Sequence, residues 1–266
     1  MYSNKILFLI ILVLLVIIDY ILLTNQEFFT NNNIFNKFDK IFYINLNHRE
    51  DRKKQILNQL SKMDIPINKI YRIDAVHEKY NGHIGCAKSH IKILEYAKKN
   101  NYKTVAVFED DFVFTESKEI VFKRINDFLN NFDGKWDVIQ LTAVYKKLTD
   151  IKYEDIKKVE RASTSSAYII NSRFYDKLIN ILKESVKKME EEMVEFNKKN
   201  NFVLKKKYQT KYALDQYWSK LQKNSDWYIF YPYLGKQGGT AGKSSIMGKN
   251  LEGFNSNTIR LFNLNV

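Results

Sequence analysis

One stretch of the sequence constrains the fold of this chain most strongly, because it places a buried strand directly before three carboxylates. Four apolar residues, Val105 to Phe108, lead into Glu109, Asp110 and Asp111. An apolar run without alternation is typical of a strand that is buried on both faces, as the strands of a parallel sheet are. The stretch therefore predicts an α/β fold in which acidic side chains follow a central strand.

Three neighbouring carboxylates repel one another, and at the end of a buried strand their charges are also costly to desolvate. Such a cluster is tolerated where it faces water or where a cation neutralises it. Ligands of open α/β sheets bind just beyond the carboxyl ends of the strands, and carboxylate oxygens there suit Mg²⁺ or Mn²⁺ bridging to a substrate diphosphate. A solvated acidic turn is the alternative interpretation.

The composition indicates a folded domain with a substantial core. The 266 residues are 45% hydrophobic and 14% aromatic, with only 9 Gly and 2 Pro, which excludes disordered, collagenous and Pro-rich chains. Cys86 is the single cysteine, so an intrachain disulfide is excluded. The formal charge of +13 comes mainly from lysines scattered along predicted helices, and we expect no nucleic-acid partner.

The N-terminal region has the length and hydropathy of a membrane span. Residues 6–23 are apolar apart from Asp19 and Tyr20, and no small-residue cleavage site follows before Glu27. We expect residues 1–24 to be a signal anchor with a cytosolic N-terminus, a type II single-pass arrangement in a secretory-pathway, viral or host membrane. A cleaved signal peptide and a buried core helix are the alternatives, and residues 25–39 are predicted to be a stem.

Strand and helix patterns alternate through the rest of the chain. Strands are predicted at residues 40–46, 70–75, 104–108, 136–142 and 163–170, and helices after Asn47, after Gly82 and over residues 120–132, 174–207 and 212–221. Asn47 is the expected N-cap of the first helix, and a strand, a short turn and a helix N-terminus suit a bound phosphate. Residues 146–161 show no strong period and are predicted to be a polar connection.

The cysteine and the histidines do not form a recognisable metal motif. Cys86 is expected to be a small packing residue. His77, His83 and His90 lack the spacing of a zinc site. We expect His90 to make a positioned hydrogen bond instead.

Two further features are candidates for chemistry. Asp215 falls beside the apolar stripe of a short helix, where a carboxylate can be a general base, an outer ligand of a metal or an ordinary solvated residue. The segment 235–245 is rich in Gly and Ser and contains Lys236 and Lys243. It could close over a diphosphate through its backbone N–H groups and lysines, or it could be an exit loop.

Five short motifs follow one another through residues 40–245. They are Tyr43-Ile-Asn-Leu with Arg49 and Arg52, Gly85-Cys-Ala-Lys-Ser-His, Phe108-Glu-Asp-Asp, Ala167-Tyr-Ile-Ile-Asn-Ser, and Pro232-x-Leu with Gln237 and Ser244. In this order they resemble glycosyltransferase family 25, the group of lipooligosaccharide and procollagen galactosyltransferases. The chain departs from the family at Ser245, where many members carry Asp, and in its long lysine-rich helix over residues 174–207.

The resemblance implies a GT-A-like fold with a mostly parallel central sheet, in which residues 40–266 form one nucleotide-sugar-binding catalytic domain. It implies a UDP-hexose donor, Mn²⁺ or Mg²⁺, and inverting transfer to a hydroxyl of a glycan, a lipid-linked oligosaccharide or a hydroxylated protein. It places the metal on Glu109 and Asp111, and the donor on the following residues: Asn45, Leu46, Arg52, Ser89, His90, Glu109, Asp110, Gln237 and Lys243. The expected catalytic residues are Asp111, through the bound cation, and Asp215, our hypothesis for the base that inversion requires.

Two other functions compete with this one. A metal-dependent phosphodiesterase or nuclease also uses clustered carboxylates, but such sites gather them from several strands, whereas the cluster here is mostly local. A catalytically inert, membrane-anchored sugar-binding module on the same fold is the second alternative.

Overall fold

In the computed structural model, which describes residues 11–20, 34–199 and 210–238, strands and helices alternate along the chain. The strands are β1 (Lys40–Asn45), β2 (Ile70–Asp74), β3 (Thr104–Glu109), β4 (Phe112–Phe114), β5 (Val138–Gln140), β6 (Val144–Asp150), β7 (Ile156–Ser163), β8 (Ala167–Asn171), β9 (Trp227–Phe230) and β10 (Gly235–Gln237). The helices are α1 (residues 11–20), α2 (Glu50–Lys62), α3 (Gly82–Lys99), α4 (Lys118–Asn131), α5 (Tyr175–Lys199), α6 (Leu214–Tyr217) and α7 (Ser219–Gln222).

Within the described residues, eight strands form one sheet in the order β2–β1–β3–β8–β5–β9–β7–β6. Its strand pairings make six of these strands run in one direction and only β8 and β7 in the other. The predicted α/β class with a mostly parallel sheet is therefore confirmed. Because β1 and β3 are parallel neighbours, their carboxyl ends lie at the same edge of the sheet, with Ile44 opposite Glu109.

The central strand β3 is buried on both faces, as its sequence predicts. Val105 and Val107 enter one core, which α3 and α5 cover. Ala106 and Phe108 enter a second core, which α2 and α4 cover. Because each large apolar side chain that leaves water stabilises the fold by about 1.5–3 kcal/mol, the sheet edge beyond β3 is held by packing on both sides.

The segment predicted to be a polar connection is instead a β-hairpin, so that prediction is wrong. β6 and β7 pair antiparallel at the edge of the sheet, where most β6 side chains are exposed. Charged pairs join the two strands, among them Lys147 with Glu160 at 2.7 Å and Lys157 with Asp150 at 2.8 Å. Charges are common on edge strands, where they discourage pairing with other chains, and they hide the strand pattern.

Three element boundaries also differ from the sequence prediction. Asn47 does not cap α2, which begins at Glu50 with Arg49 at the cap position; the Asn47 side chain accepts a hydrogen bond from Arg72 instead. The strand predicted over residues 163–170 is interrupted after β7 by Thr164, whose φ is 78°. The single helix predicted over residues 212–221 consists of the short helices α6 and α7.

The N-terminal predictions fall largely outside the described residues. α1 covers the middle of the predicted span, and its large apolar side chains are exposed; residues 6–10 and 21–23 lie outside the described part. Across the residues that the structure describes, no helix combines the length and the apolar character needed to cross a bilayer. Among the described residues of the segment predicted to be a stem, Ile34, Phe35 and Phe38 are buried in the core.

Candidate active site

A cavity of about 460 Å³ lies at the carboxyl ends of β1 and β3. Ligands of α/β sheets bind in this position, and the volume is in the range of small-molecule pockets. The walls come from the turn after β1, the loop of residues 75–80 after β2, the start of α3 and the acidic turn after β3. The residues that line it are Ile44, Asn45, Leu46, His48, Arg49, Arg52, Ala75, Val76, His77, Glu78, Lys79, Tyr80, Gly82, Cys86, Ser89, Glu109, Asp110, Asp111 and Gln237.

One buried guanidinium holds the acidic turn. Arg52 Nη1 donates to Asp110 Oδ1 at 3.0 Å and to Asp111 Oδ2 at 3.2 Å. Asn45 Nδ2 donates to the second oxygen of Asp110 at 2.8 Å. Arg52 is only 7% exposed, so it is a buried partner of the acidic turn although it lies in the first turn of a helix. The predicted motif residues at positions 45, 52, 110 and 111 therefore form one connected network.

Strand β10, the last strand within the described residues, completes this network. Gln237 Nε2 lies 3.4 Å from Asp111 Oδ2, and the Gly238 N–H donates to the Asp111 carbonyl at 2.9 Å. β10 reaches this position because it pairs with β4, directly after the acidic turn. Gly235 is required in that pairing, since a Cβ at this residue would lie 2.5 Å from the Val113 carbonyl oxygen.

Glu109 faces a different set of partners. Its Oε1 accepts from Ser165 Oγ at 2.5 Å and lies 3.3 Å from His90 Nε2, while His90 Nδ1 lies 2.9 Å from the Tyr168 hydroxyl. Burial raises the pKa of Tyr168 well above its ordinary value, so the phenol keeps its proton and can donate to Nδ1. We infer that His90 then carries its own proton on Nε2 and donates it to Glu109.

Two of the three carboxyls in the acidic turn have a raised pKa. Burial, together with the negative charge of Glu109, raises the pKa of Asp111 to about 7, and burial also raises the pKa of Asp110. Burial alone would raise the pKa of Glu109, but its hydrogen bonds outweigh that effect and the pKa is lowered. Asp111 Oδ1 is buried and has no hydrogen-bond partner within the described part of the chain. Three carboxylates around one buried guanidinium therefore fit a hard divalent cation such as Mg²⁺ or Mn²⁺.

Asp215 lies beside the site without lining the cavity. The Thr164 N–H donates to Asp215 Oδ2 at 3.0 Å. Burial raises the pKa of this carboxyl, and Glu109 is close enough for its charge to raise it further. Asp215 in turn opposes the effect of burial, which lowers the pKa of His83. The backbone thus orients the carboxylate, and the charge of Glu109 acts on it.

The structure brings most of the predicted site residues together at the cavity. Some of them line it, whereas others are buried behind it or bond only within the protein. Eight of them line the cavity: Asn45, Leu46, Arg52, Ser89, Glu109, Asp110, Asp111 and Gln237. His90 is fully buried behind Glu109. Ser89 uses its hydroxyl within the protein, donating to the Gly85 carbonyl at 2.7 Å and accepting from the Val76 N–H at 2.8 Å. Lys243 lies outside the described residues.

Sequence reasoning missed several residues at the cavity. His48 and His77 come from the loops after β1 and β2, and their rings meet edge to face with centroids 5.4 Å apart. Arg72 Nη2 donates to Asn45 Oδ1 at 3.2 Å and thereby fixes the amide that binds Asp110. Cys86, expected to be a packing residue, is half-buried and lines the cavity. For His48, His77 and Cys86 the available signal is position, because they follow β1 or β2 or lie in the first turns of α3. Arg72 lies in the middle of β2 and gives no such signal.

Comparisons with known proteins point to one family. The model of glycosyltransferase family 25 (LPS biosynthesis protein) matches residues 69–242. Procollagen galactosyltransferases 1-A and 1-B of Xenopus laevis are 28% and 27% identical to the chain over 180 residues, which is 54% of this chain and 28% of each relative. The match thus spans less than a third of the length of these relatives.

Solved structures resemble the chain more weakly. A197 from STIV has a TM-score of 0.41 at 16% identity, over 74% of this chain and 83% of that one. UDP-glucose pyrophosphorylase complexed with UDP-glucose has a TM-score of 0.40 at 9% identity, over 76% of each chain.

Proposed function

The chain belongs to glycosyltransferase family 25, and from this premise we propose that it transfers a hexose from a UDP-sugar to an acceptor hydroxyl. The sugar is galactose or glucose, the anomeric carbon is inverted, and the acceptor is a glycan, a lipooligosaccharide or a hydroxylated protein. The named relatives, which are procollagen galactosyltransferases, support this substrate class. The mostly parallel sheet with a cavity at its carboxyl edge supports a GT-A-like domain.

The observation that carries the proposal is the deficit of positive charge at the acidic turn. Arg52 contacts two of the three carboxylates, yet Asp111 keeps a buried oxygen without a partner in the described residues and a pKa of about 7. A divalent cation would supply the missing positive charge, and a diphosphate attached to it would fill the adjoining cavity. Glu109 and Asp111 would hold that cation, which supplies Lewis-acid stabilisation to the leaving diphosphate.

The protein's own groups then bind and orient the donor. Arg52 keeps Asp110 and Asp111 in place. It also lines the cavity, where its positive charge would stabilise the negative charge that develops on the leaving diphosphate. Asn45 and Gln237 fix the carboxylates from opposite sides. The loop of residues 75–80 also lines the cavity and would limit the access of water to the reacting carbon.

Asp215 is proposed to remove the proton from the acceptor hydroxyl. The backbone N–H of Thr164 orients its carboxylate, and burial brings its pKa closer to neutral pH, where a general base works best. Asp215→Asn should lower kcat by roughly 100-fold or more, as expected for the loss of a general base, while the donor Kd stays within about twofold. Full turnover of this variant at saturating donor and acceptor would remove Asp215 from the mechanism.

A binding assay tests the proposal as a whole. UDP, UDP-galactose and UDP-glucose would be titrated into wild type, Asp111→Asn and Asp176→Asn, each with and without Mn²⁺. Asp176 is an exposed residue that pairs with Lys98 on the protein surface, so it controls for the loss of a charge. We expect Mn²⁺-dependent nucleotide binding and slow UDP release by wild type and the control only. Folded wild type that binds sugars but neither nucleotide nor UDP-sugar would indicate the inert module, and cleavage of nucleic acid would indicate a phosphodiesterase.

Attachment to a membrane through residues 1–24 is part of the same proposal. The exposed apolar side chains of α1 support it, as does the length of the apolar stretch in the sequence. We expect the full chain to remain in the membrane fraction after carbonate washing. Its release under that treatment would contradict an anchor.

A further inference from the structure

Cys86, His90 and Glu109 place three different metal-ligand atoms close together. The thiol sulfur, an imidazole nitrogen and a carboxylate oxygen all lie within 4.8 Å of one another. Cys86 and His90 are four residues apart on α3, so they project from the same face of the helix. Glu109 comes from the end of β3, which fixes the third group on a separate rigid element.

We propose that these three side chains form a binding site for Zn²⁺ or a similarly soft divalent cation. Thiolate and imidazole are the ligands that Zn²⁺ takes up in preference to Mg²⁺, whose sites are built of oxygen atoms. The site differs in composition from the Glu109–Asp111 pair, which offers only carboxylates. It goes beyond the proposed transferase function and does not depend on it.

The surroundings of the three groups are those of an ordered metal site. His90 Nε2 faces Glu109 at 3.3 Å, while Nδ1 is 2.9 Å from the Tyr168 hydroxyl. A histidine that binds a metal passes its other ring proton to an outer acceptor, which fixes the ring; Tyr168 occupies that place. Ser165 holds the carboxylate of Glu109 in the same way. When Nε2 binds the cation, the ring proton resides on Nδ1, the Tyr168 oxygen becomes its acceptor, and the thiol proton passes to solvent.

The three ligand atoms need to move only a short distance to bind one cation. Bonds of about 2.0–2.3 Å to a tetrahedral Zn²⁺ separate neighbouring ligand atoms by roughly 3.3–3.8 Å. Two atoms at the 4.8 Å limit therefore need to approach each other by about 1.0–1.5 Å, which rotation of the half-buried Cys86 side chain would provide. Cys86 and Glu109 both line the cavity, so the fourth position faces it and is open to water or to a ligand.

Glu109 belongs both to the Cys86–His90–Glu109 group and to the carboxylate pair with Asp111, so a cation in one site affects the other. A Glu109 carboxylate bound to a cation beside Cys86 and His90 is withdrawn from the pair with Asp111. We expect soft cations to inhibit transfer that is supported by Mn²⁺, and this one consequence rests on the proposed function.

Zn²⁺ and Co²⁺ titrations of the full chain, without any nucleotide, test the site independently of transfer. A chromophoric chelator would report Zn²⁺ affinity, and a thiolate-to-Co²⁺ charge-transfer band would report the sulfur ligand. Wild type should bind one Zn²⁺ per chain and show the band. Cys86→Ala and the near-isosteric Cys86→Ser should lose the band and bind Zn²⁺ at least 10-fold more weakly, with thermal unfolding used to verify that both variants are folded.

Asp111→Asn is the matched control, because it alters the carboxylate pair and leaves Cys86, His90 and Glu109 intact. Its Zn²⁺ affinity should stay within about threefold of wild type, and its Co²⁺ band should remain. Equal Zn²⁺ binding by wild type and the Cys86 variants, or an absent Co²⁺ band in wild type, would overturn the proposal. Loss of Zn²⁺ binding in Asp111→Asn alone would assign Zn²⁺ to the carboxylates instead.

Discussion

Replacing Asp111 by asparagine should make the stability of the metal-free protein less sensitive to pH. Asp111 is 5% exposed, and burial beside Glu109 raises its pKa from 3.8 to about 7 in the folded state. The native state therefore holds a proton that the unfolded chain releases between these two pKa values. Because the native state binds more protons in that window, the free energy of unfolding falls as the pH rises from 3.8 towards 7.

The size of the effect follows from the width of that window. A pKa difference of about 3 units corresponds to about 4 kcal/mol in total, of which about 2 kcal/mol is lost between about pH 5.5 and about pH 8.5. Asparagine has the same shape and does not titrate. We expect the stability of Asp111→Asn relative to wild type to rise by about 2 kcal/mol over the same interval.

Urea unfolding of both proteins in EDTA, at about pH 5.5, 7 and 8.5, measures this difference. Asp176→Asn, which removes an exposed carboxylate, should follow the wild-type profile. Mn²⁺ added at about pH 8.5 should stabilise wild type and the control but not Asp111→Asn. Parallel pH profiles of wild type and Asp111→Asn would refute the argument that an unneutralised carboxylate lies at the turn.

Three further substitutions test how the cavity walls and the sheet are held. Gly85→Ala should lower the free energy of unfolding by about 1–3 kcal/mol, measured by urea unfolding, because the new Cβ would lie 2.3 Å from the Val76 carbonyl oxygen; Gly134→Ala, where the Cβ meets only a movable ring, should cost less. Ser89→Ala should raise the donor KM and cost about 1–3 kcal/mol, since it leaves the half-buried Val76 N–H without its hydrogen-bond acceptor. Gln222→Leu should lower stability by about 2 kcal/mol or more with an unchanged donor Kd, because it leaves both a backbone N–H and a carbonyl of β7 unpaired. Wild-type stability in any of these variants would contradict the contact concerned.

The parts of the fold that the sequence predicts well are those with a buried face. Residues 105–108 were predicted to be buried on both sides, and their side chains do alternate between two cores. Helix α4 follows its apolar period closely, over Lys118–Asn131. The β6–β7 hairpin was missed because an edge strand with exposed charges has neither a buried face nor an alternating pattern.

The sequence predicts which residues form the site better than it predicts the contacts between them. Asn45 and Glu109 each end a predicted parallel strand, and the carboxyl ends of parallel strands lie at one edge of the sheet. The sequence therefore indicates that the two residues lie at the same edge. The burial of Arg52 could not be read from the sequence, since an arginine in the first turn of a helix is ordinarily solvated. The orientation of Asp215 depends on Thr164, which is 51 residues away and adopts a positive φ. Local patterns carry no information on such a contact.

The contact between β10 and the acidic turn has a consequence for the order in which the molecule assembles. Gln237 and Asp111 are separated by 126 residues, whereas β1 pairs with β2 across a single helical connection. During synthesis the N-terminal part of a domain emerges and folds first, and contacts of long sequence separation form late. The nascent chain therefore builds the sheet edge around a turn whose last partner has not yet been translated. We expect ribosome-bound chains to assemble the β2–β1–β3–β8–β5 part of the sheet before they acquire nucleotide affinity, because β9 and β10 follow later in the chain. Donor binding would then report completion of the fold.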